Sequence, residues 1–177
     1  MKNYIIIIFL ISAMTAMAQK EKSTPVTVNH VDLKKYTGLW YEIAKIPNRF
    51  QKQCVSNTTA RYELNDDGTI KVVNSCRQSD GEMDSSEGLA KVVDAATNSK
   101  LEVSFVSIFG IHLFWGDYWI IGLADDYSYA VVGTPDRKYG WILSRTKKLA
   151  DDKLQEAYNI LEKNGYDPKD FVGTVQE

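Results

Sequence analysis

From Leu39 onward, apolar and polar residues alternate over short stretches separated by clusters of turn-forming residues. Over 57–64, Ala60, Tyr62 and Leu64 alternate with Thr59, Arg61 and Glu63; over 100–106, Leu101, Val103 and Phe105 alternate with Lys100, Glu102 and Ser104. Successive side chains of a strand point to opposite faces, so a period of two marks a strand with one buried face. The pattern predicts eight strands, at 39–46, 57–64, 70–75, 87–93, 100–106, 118–123, 128–133 and 140–146. Between them stand Asn65-Asp66-Asp67-Gly68, Asp80-Gly81, Asn98-Ser99, Asp125-Asp126 and Thr134-Pro135-Asp136, each with turn chemistry of its own. A single helix follows, with Leu154, Ala157, Tyr158 and Leu161 at i, i+3, i+4 and i+7, Asp151 and Asp152 at its start and Gly165 just beyond it. A short strand over 171–175 comes last.

Eight antiparallel strands in simple succession either close into a barrel around one small ligand or pack as a two-sheet sandwich, and alternation alone is compatible with both. In either case the apolar set faces in. On the third strand Ile70, Val72 and Asn74 share a face, which sends one polar group inward; on the last, Tyr139, Trp141 and Leu143 share one. The helix, apolar along one stripe only, is expected to cover the outside of the sheet.

The first residues read differently. Lys2 gives a short positive region, 4–11 an apolar run, and Ala16-Met17-Ala18 a small-x-small cleavage signal, so 1–18 is expected to be a signal peptide. A flexible segment over 19–30 and one domain over 31–177 should follow. No cysteine follows the apolar run to accept a diacylglyceryl group, so the expectation is an exported protein, periplasmic or secreted, without a lipid anchor. Export makes a disulfide persistent. Cys54 and Cys76 flank the hairpin that folds at Asn65–Gly68, which brings its far ends together, and they lack Cys-x-x-Cys spacing; a structural bridge is expected.

Composition narrows the function. The 177 residues are 44% hydrophobic and 25% charged with a net charge of -2, which fits one folded domain and supplies no basic field for a nucleic acid. His30 and His112 are the only histidines, and there is no Gly-x-Ser-x-Gly elbow, His-Glu-x-x-His pair, phosphate-cradling glycine loop or metal-spaced cysteine cluster. Asp66-Asp67, Asp125-Asp126 and Asp151-Asp152 fall in turns or at the helix start. No catalytic residue, metal or cofactor is expected.

Three motifs settle the choice of architecture. Gly38-Leu39-Trp40, Asp126-Tyr127 and the run Trp141 to Thr146 with Arg145 resemble, in order and spacing, the signature segments of the lipocalin family. The likeness covers 31 to about 175 and is strongest to the group containing bacterial outer-membrane lipocalins, plant temperature-induced lipocalins and apolipoprotein D. The second motif departs from the usual pattern, with Asp125 ahead of Asp126-Tyr127. The resemblance implies an eight-stranded antiparallel up-and-down β-barrel with one C-terminal helix packed outside. If the barrel closes, Trp40 near the start of the first strand meets Arg145 near the end of the last, a cation–π pair contributing roughly 0.5–2 kcal/mol. Gly38, Trp40, Asp126, Tyr127 and Arg145 are therefore expected to be structural.

Carrying the family's orientation over, the ligand-facing residues become Ala60, Tyr62, Val72, Asn74, Ala90, Val103, Phe105, Tyr118, Ile120, Ala130, Val132, Tyr139, Trp141 and Leu143. Such a wall suits a fatty acid or lysophospholipid, whose burial gives roughly 0.8 kcal/mol per methylene while tyrosine and asparagine orient a polar head. The implied role is carriage or storage of that ligand in envelope lipid handling; a lipocalin-fold enzyme or scavenger and a ligand-free scaffold are the alternatives. By the same resemblance, the apolar loop 107–116 sits at the barrel mouth, where Phe109, Phe114 and Trp115 join Phe50. A patch of this kind marks a contact surface: a lid, a lip touching a membrane, or a face buried inward or in a homodimer.

Overall fold

The computed structural model describes residues 23–177, so the expected signal peptide at 1–18 lies outside the described residues. In chain order the elements are α1 (Leu33–Tyr36), β1 (Gly38–Lys45), β2 (Cys54–Leu64), β3 (Ile70–Gln78), β4 (Met83–Val92), β5 (Lys100–Ser104), β6 (Val106–Ile108), β7 (Ile111–Leu113), β8 (Gly116–Leu123), β9 (Tyr129–Gly133), β10 (Gly140–Ser144), α2 (Asp151–Lys163) and β11 (Val172–Gly173). Strands β1 to β5 and β8 to β10 pair in succession, all antiparallel, and β10 returns to β1 through Tyr41↔Ser144, Glu42↔Leu143 and Lys45↔Trp141. The sheet is a closed eight-stranded barrel, which leaves no open edge along its seam.

Closure at β1 has a second component. Its first half pairs with β2 from Gly38↔Tyr62 to Tyr41↔Thr59, and its second half pairs with β11 through Ala44↔Gly173 and Lys45↔Val172. The Thr174 N–H donates to Ile43 O and the Asn57 N–H to Val175 O. The C-terminal segment thus fills the gap where β1 and β2 part, and the strand expected over 171–175 is this seam piece.

Two apolar cores lie on either side of the wall. Inside, Val31, Trp40, Val72, Leu101, Ile120, Ala130 and Val132 are buried together; outside, Ala157 and Leu161 of α2 pack on Ile121, Tyr129, Val131 and Ile142. Successive residues of one strand go to opposite cores, Ile120, Ala130 and Val132 to the inner and Ile121, Tyr129 and Val131 to the outer. Gly133 permits the outer contact, since a Cβ there would lie 2.3 Å from the Tyr166 hydroxyl, which accepts from the Thr134 N–H.

The Cys54–Cys76 disulfide is formed, with Cα atoms 5.5 Å apart. In chain-entropy terms a bridge of this separation contributes about 3 kcal/mol.

Several expectations change. The segment expected to be flexible is tied down from residue 23 onward: Pro25 is buried, the Val28 N–H donates to Ile120 O, and Ser99 Oγ donates to Thr27 Oγ1. The lead-in to the first strand forms α1, capped by Asp32, whose carboxylate accepts from the Lys34 and Lys35 N–H groups. The apolar stretch read as the loop 107–116 contains the separate hairpin β6–β7, and the strand expected over 100–106 ends at Ser104, whose hydroxyl bonds Leu113 O. Leu64, read as inward-facing, is exposed at the end of the β2–β3 hairpin.

Candidate functional site: the barrel lumen and its mouth

One end of the barrel is plugged. Trp40 is fully buried and its Nε1–H donates to Tyr36 O, the last carbonyl of α1 (2.8 Å). The Arg145 guanidinium stacks 3.7 Å from the Trp40 ring centroid, and its N–H groups reach Leu39 O, Lys35 O and Tyr36 O at 2.9, 2.7 and 3.2 Å. Gly38 lies against Arg145 at the strand start. The Tyr127 hydroxyl accepts from the Asp32 N–H, and Asp126 accepts from the Ser128 N–H and from Lys153. Hydrogen bonds from Ser128, then Lys153, hold the Asp126 carboxyl down to about 2. All five motif residues therefore join the plug or the β8–β9 turn beside it.

Above the plug, Tyr36, Tyr62 and Tyr118 form a crossbar from α1, β2 and β8. Tyr118 Oη lies 2.8 Å from Tyr36 Oη and 2.9 Å from Tyr62 Oη. Burial pushes the Tyr62 hydroxyl up to about 12 and the other two well above the ordinary tyrosine range. Below pH 10 folded and unfolded chains are both protonated and this costs nothing; above it the unfolded chain ionises first. Stability from Tyr62 is thus expected to fall between pH 10 and about 12 by about 1.4 kcal/mol per pH unit. Urea melts at stepped alkaline pH measure it, and Tyr62→Phe should flatten that part of the decline.

Around and above the crossbar the fourteen residues expected to face the ligand are all on or at the rim of the lumen. Ala60, Tyr62, Val72, Ala90, Ile120, Ala130, Val132 and Leu143 are buried in the inner core, whereas Val103, Tyr118 and Trp141 pack against it with part of their surface accessible. Asn74 and Tyr139 are half-buried, and Phe105 is 40% exposed. Phe105 covers Gly88, where a Cβ would lie 2.7 Å from its ring, so it turns toward the lumen although its strand has ended. Inward-pointing side chains with accessible surface mean that the upper lumen is open to solvent through the mouth.

A polar cluster that alternation did not flag lies on this same wall. Glu42, two residues after Trp40, points inward and is 3% exposed. Its carboxylate accepts from Gln51 Nε2 (2.6 Å) and Thr174 Oγ1 and pairs with Lys45 Nζ at 3.1 Å. Gln51, from the turn Arg49–Gln51, also accepts from Trp141 Nε1 and Asn48. The i, i+2 spacing of Trp40 and Glu42 was the available signal; the C-terminal partner was not readable, because Thr174 is 132 residues away.

At the rim Phe50, 58% exposed, packs on Tyr139, which stacks on Trp141. Phe109 and Phe114 on the β6–β7 hairpin are almost wholly exposed, with Ile108 and Ile111 beside them. Trp115 departs from the expected lip. Its Nε1–H donates to His112 O, and its ring lies 4.2 Å from the Nζ of Lys91, a residue of the outward-facing set of β4.

A closed antiparallel barrel, plugged at one end and open to solvent at the other, belongs to the class that encloses a single small ligand. A family model described as the lipocalin-like domain matches residues 31–176, and the chain belongs to the lipocalin family, one of small hydrophobic-ligand binders. It is 41% identical over 150 residues to the outer membrane lipoprotein Blc of Escherichia coli, covering 84% of this chain and 81% of that one. To temperature-induced lipocalin-1 of Arabidopsis thaliana it is 37% identical over 159 residues, covering 88% and 85%. Insecticyanin from the tobacco hornworm Manduca sexta superposes with a TM-score of 0.68 at 27% identity, covering 86% of this chain and 83% of that one. Among the described residues no helix is long and apolar enough to cross a membrane, and no His, Cys, Asp and Glu side chains group to hold a metal.

Proposed function

We propose that the protein binds one long acyl chain, a fatty acid or lysophospholipid, in the lumen and carries or stores it without chemical conversion. The observation that carries this reading is the graded wall: buried apolar side chains around Val72, Ala90 and Val132, and accessible ones at Val103, Trp141 and Phe105. Each methylene transferred to that wall gives roughly 0.8 kcal/mol. The relation to an outer membrane lipoprotein supports export and work at the cell envelope. Native mass spectrometry of the purified protein tests the reading. A bound acyl lipid at a ratio of one to one is expected; an empty barrel that also fails to take up added oleic acid would overturn it.

Phe109 and Phe114 project from the mouth hairpin, which supports its use as a lip that touches a lipid surface during loading. Replacing both with serine should slow transfer of a fluorescent fatty acid from phosphatidylethanolamine–phosphatidylglycerol vesicles about tenfold and leave its equilibrium affinity unchanged. Stopped-flow transfer at the wild-type rate would remove that role.

A further inference from the structure

Three hydroxyls meet in the lumen at Tyr36, Tyr62 and Tyr118, and among the described residues they hydrogen-bond only to one another. Three hydroxyls carry three protons, and the two hydrogen bonds use two. Whichever way the bonds run, one O–H is left without an acceptor. Tyr36 and Tyr62 are 4% and 6% exposed, and their surroundings are Val72, Leu101 and Ile120. A donor left unpaired in such a place is costly, and it is retained where something supplies the missing acceptor. Tyr118, the central member, keeps accessible surface and is the one that meets the open lumen.

We infer that this crossbar is a binding subsite for a neutral acceptor oxygen carried at the leading end of the ligand, the end that enters the barrel first. The inference rests on the acyl-chain reading above and narrows it. A plain methyl terminus would leave the spare proton unsatisfied, whereas a keto, aldehyde or ester oxygen would take it. A carboxylate suits the place less well, since one spare donor replaces little of its hydration. The hydroxyls are protonated donors at neutral pH, as any tyrosine is, and burial moves their ionisation further away. Nearer the mouth the Lys45 ammonium, part-exposed beside the buried Glu42, is left to meet a polar head. The ligand class is thus an amphiphile with oxygen at both ends, such as a chain oxidised near its terminus.

The test is displacement of dansylaminoundecanoic acid by stearic acid and by its ω−1 keto derivative. In the wild type the keto acid is expected to displace the probe at about tenfold lower concentration. Tyr62→Phe removes one hydroxyl and one hydrogen bond but leaves one spare proton, so the preference should persist. The triple variant Tyr36→Phe/Tyr62→Phe/Tyr118→Phe removes every donor while keeping the rings, and the preference should fall to within about twofold. Equal displacement by the two acids in the wild type would overturn the inference while leaving the acyl-chain reading standing. So would a tenfold preference that survives in the triple variant. Failure of both acids to displace the probe would overturn the acyl-chain reading itself.

Discussion

Substituting tryptophan for Asn74 or Val103 is expected to weaken binding of a long-chain fatty acid by roughly 100-fold, because an indole at either position occupies the volume of about four methylenes worth roughly 0.8 kcal/mol each. Both side chains point into the lumen and both keep accessible surface. The larger ring can therefore grow into open space without displacing packed neighbours, and the melting temperature should stay within a few degrees of wild type. The contrast with Ala130 is the control. Ala130 is fully buried between Leu123 and Leu143, so tryptophan there overpacks the inner core and should lower stability by about 1–3 kcal/mol. Isothermal titration with oleic acid and thermal melts on the same samples separate the two effects. If Asn74→Trp and Val103→Trp both bind oleic acid as wild type does, the ligand does not lie in the upper lumen.

Arg145→Met is expected to destabilise the fold by about 3 kcal/mol, measured by urea unfolding. The guanidinium does two jobs at once: it lies on the face of Trp40, and it donates to three backbone carbonyls, two at the end of α1 and one in β1. The stacking contributes roughly 0.5–2 kcal/mol and a hydrogen bond from a charged donor about 1.5–3 kcal/mol, discounted because the site is only part-buried. Methionine can cover the indole but satisfies none of the carbonyls. Lysine keeps the charge but presents a point donor in place of a planar fork, so Arg145→Lys should recover no more than half the loss. An Arg145→Met protein as stable as wild type would mean that α1 and Trp40 seal the barrel unaided.

Much of this molecule was written locally. Alternation in strands such as β2 and β5, where one face must be apolar, together with the turn residues that bound each segment, located all eight barrel strands, although β9, apolar on both faces, shows no alternation of its own. The stripe at Leu154, Ala157, Tyr158 and Leu161 located α2 for the same reason at a period of 3.6. Cys54 and Cys76 could be paired because a tight turn brings hairpin ends together whatever the rest of the chain does. The plug contact between Trp40 and Arg145 needed one further premise, closure, which the lipocalin motifs supplied.

What the tertiary structure alone decided are contacts between residues far apart in the chain. Tyr36 sits in four residues of helix too short to show a period, and its hydroxyl matters only because β8 brings Tyr118 to it from 82 positions away. Glu42 reads as one polar residue in a strand until Lys45, Gln51 and the C-terminal Thr174 surround it. Trp115 looked like part of an apolar lip until Lys91 of β4 drew its ring to the outer wall. Apolar pattern is a local property, so sequence by itself determined the eight barrel strands and α2. The family's orientation added which residues face in, while α1 and the β6–β7 hairpin came only with the fold. Polar partners are set by where the closed barrel places each strand relative to every other, so which hydroxyl, carboxylate or ammonium meets which was left to the fold.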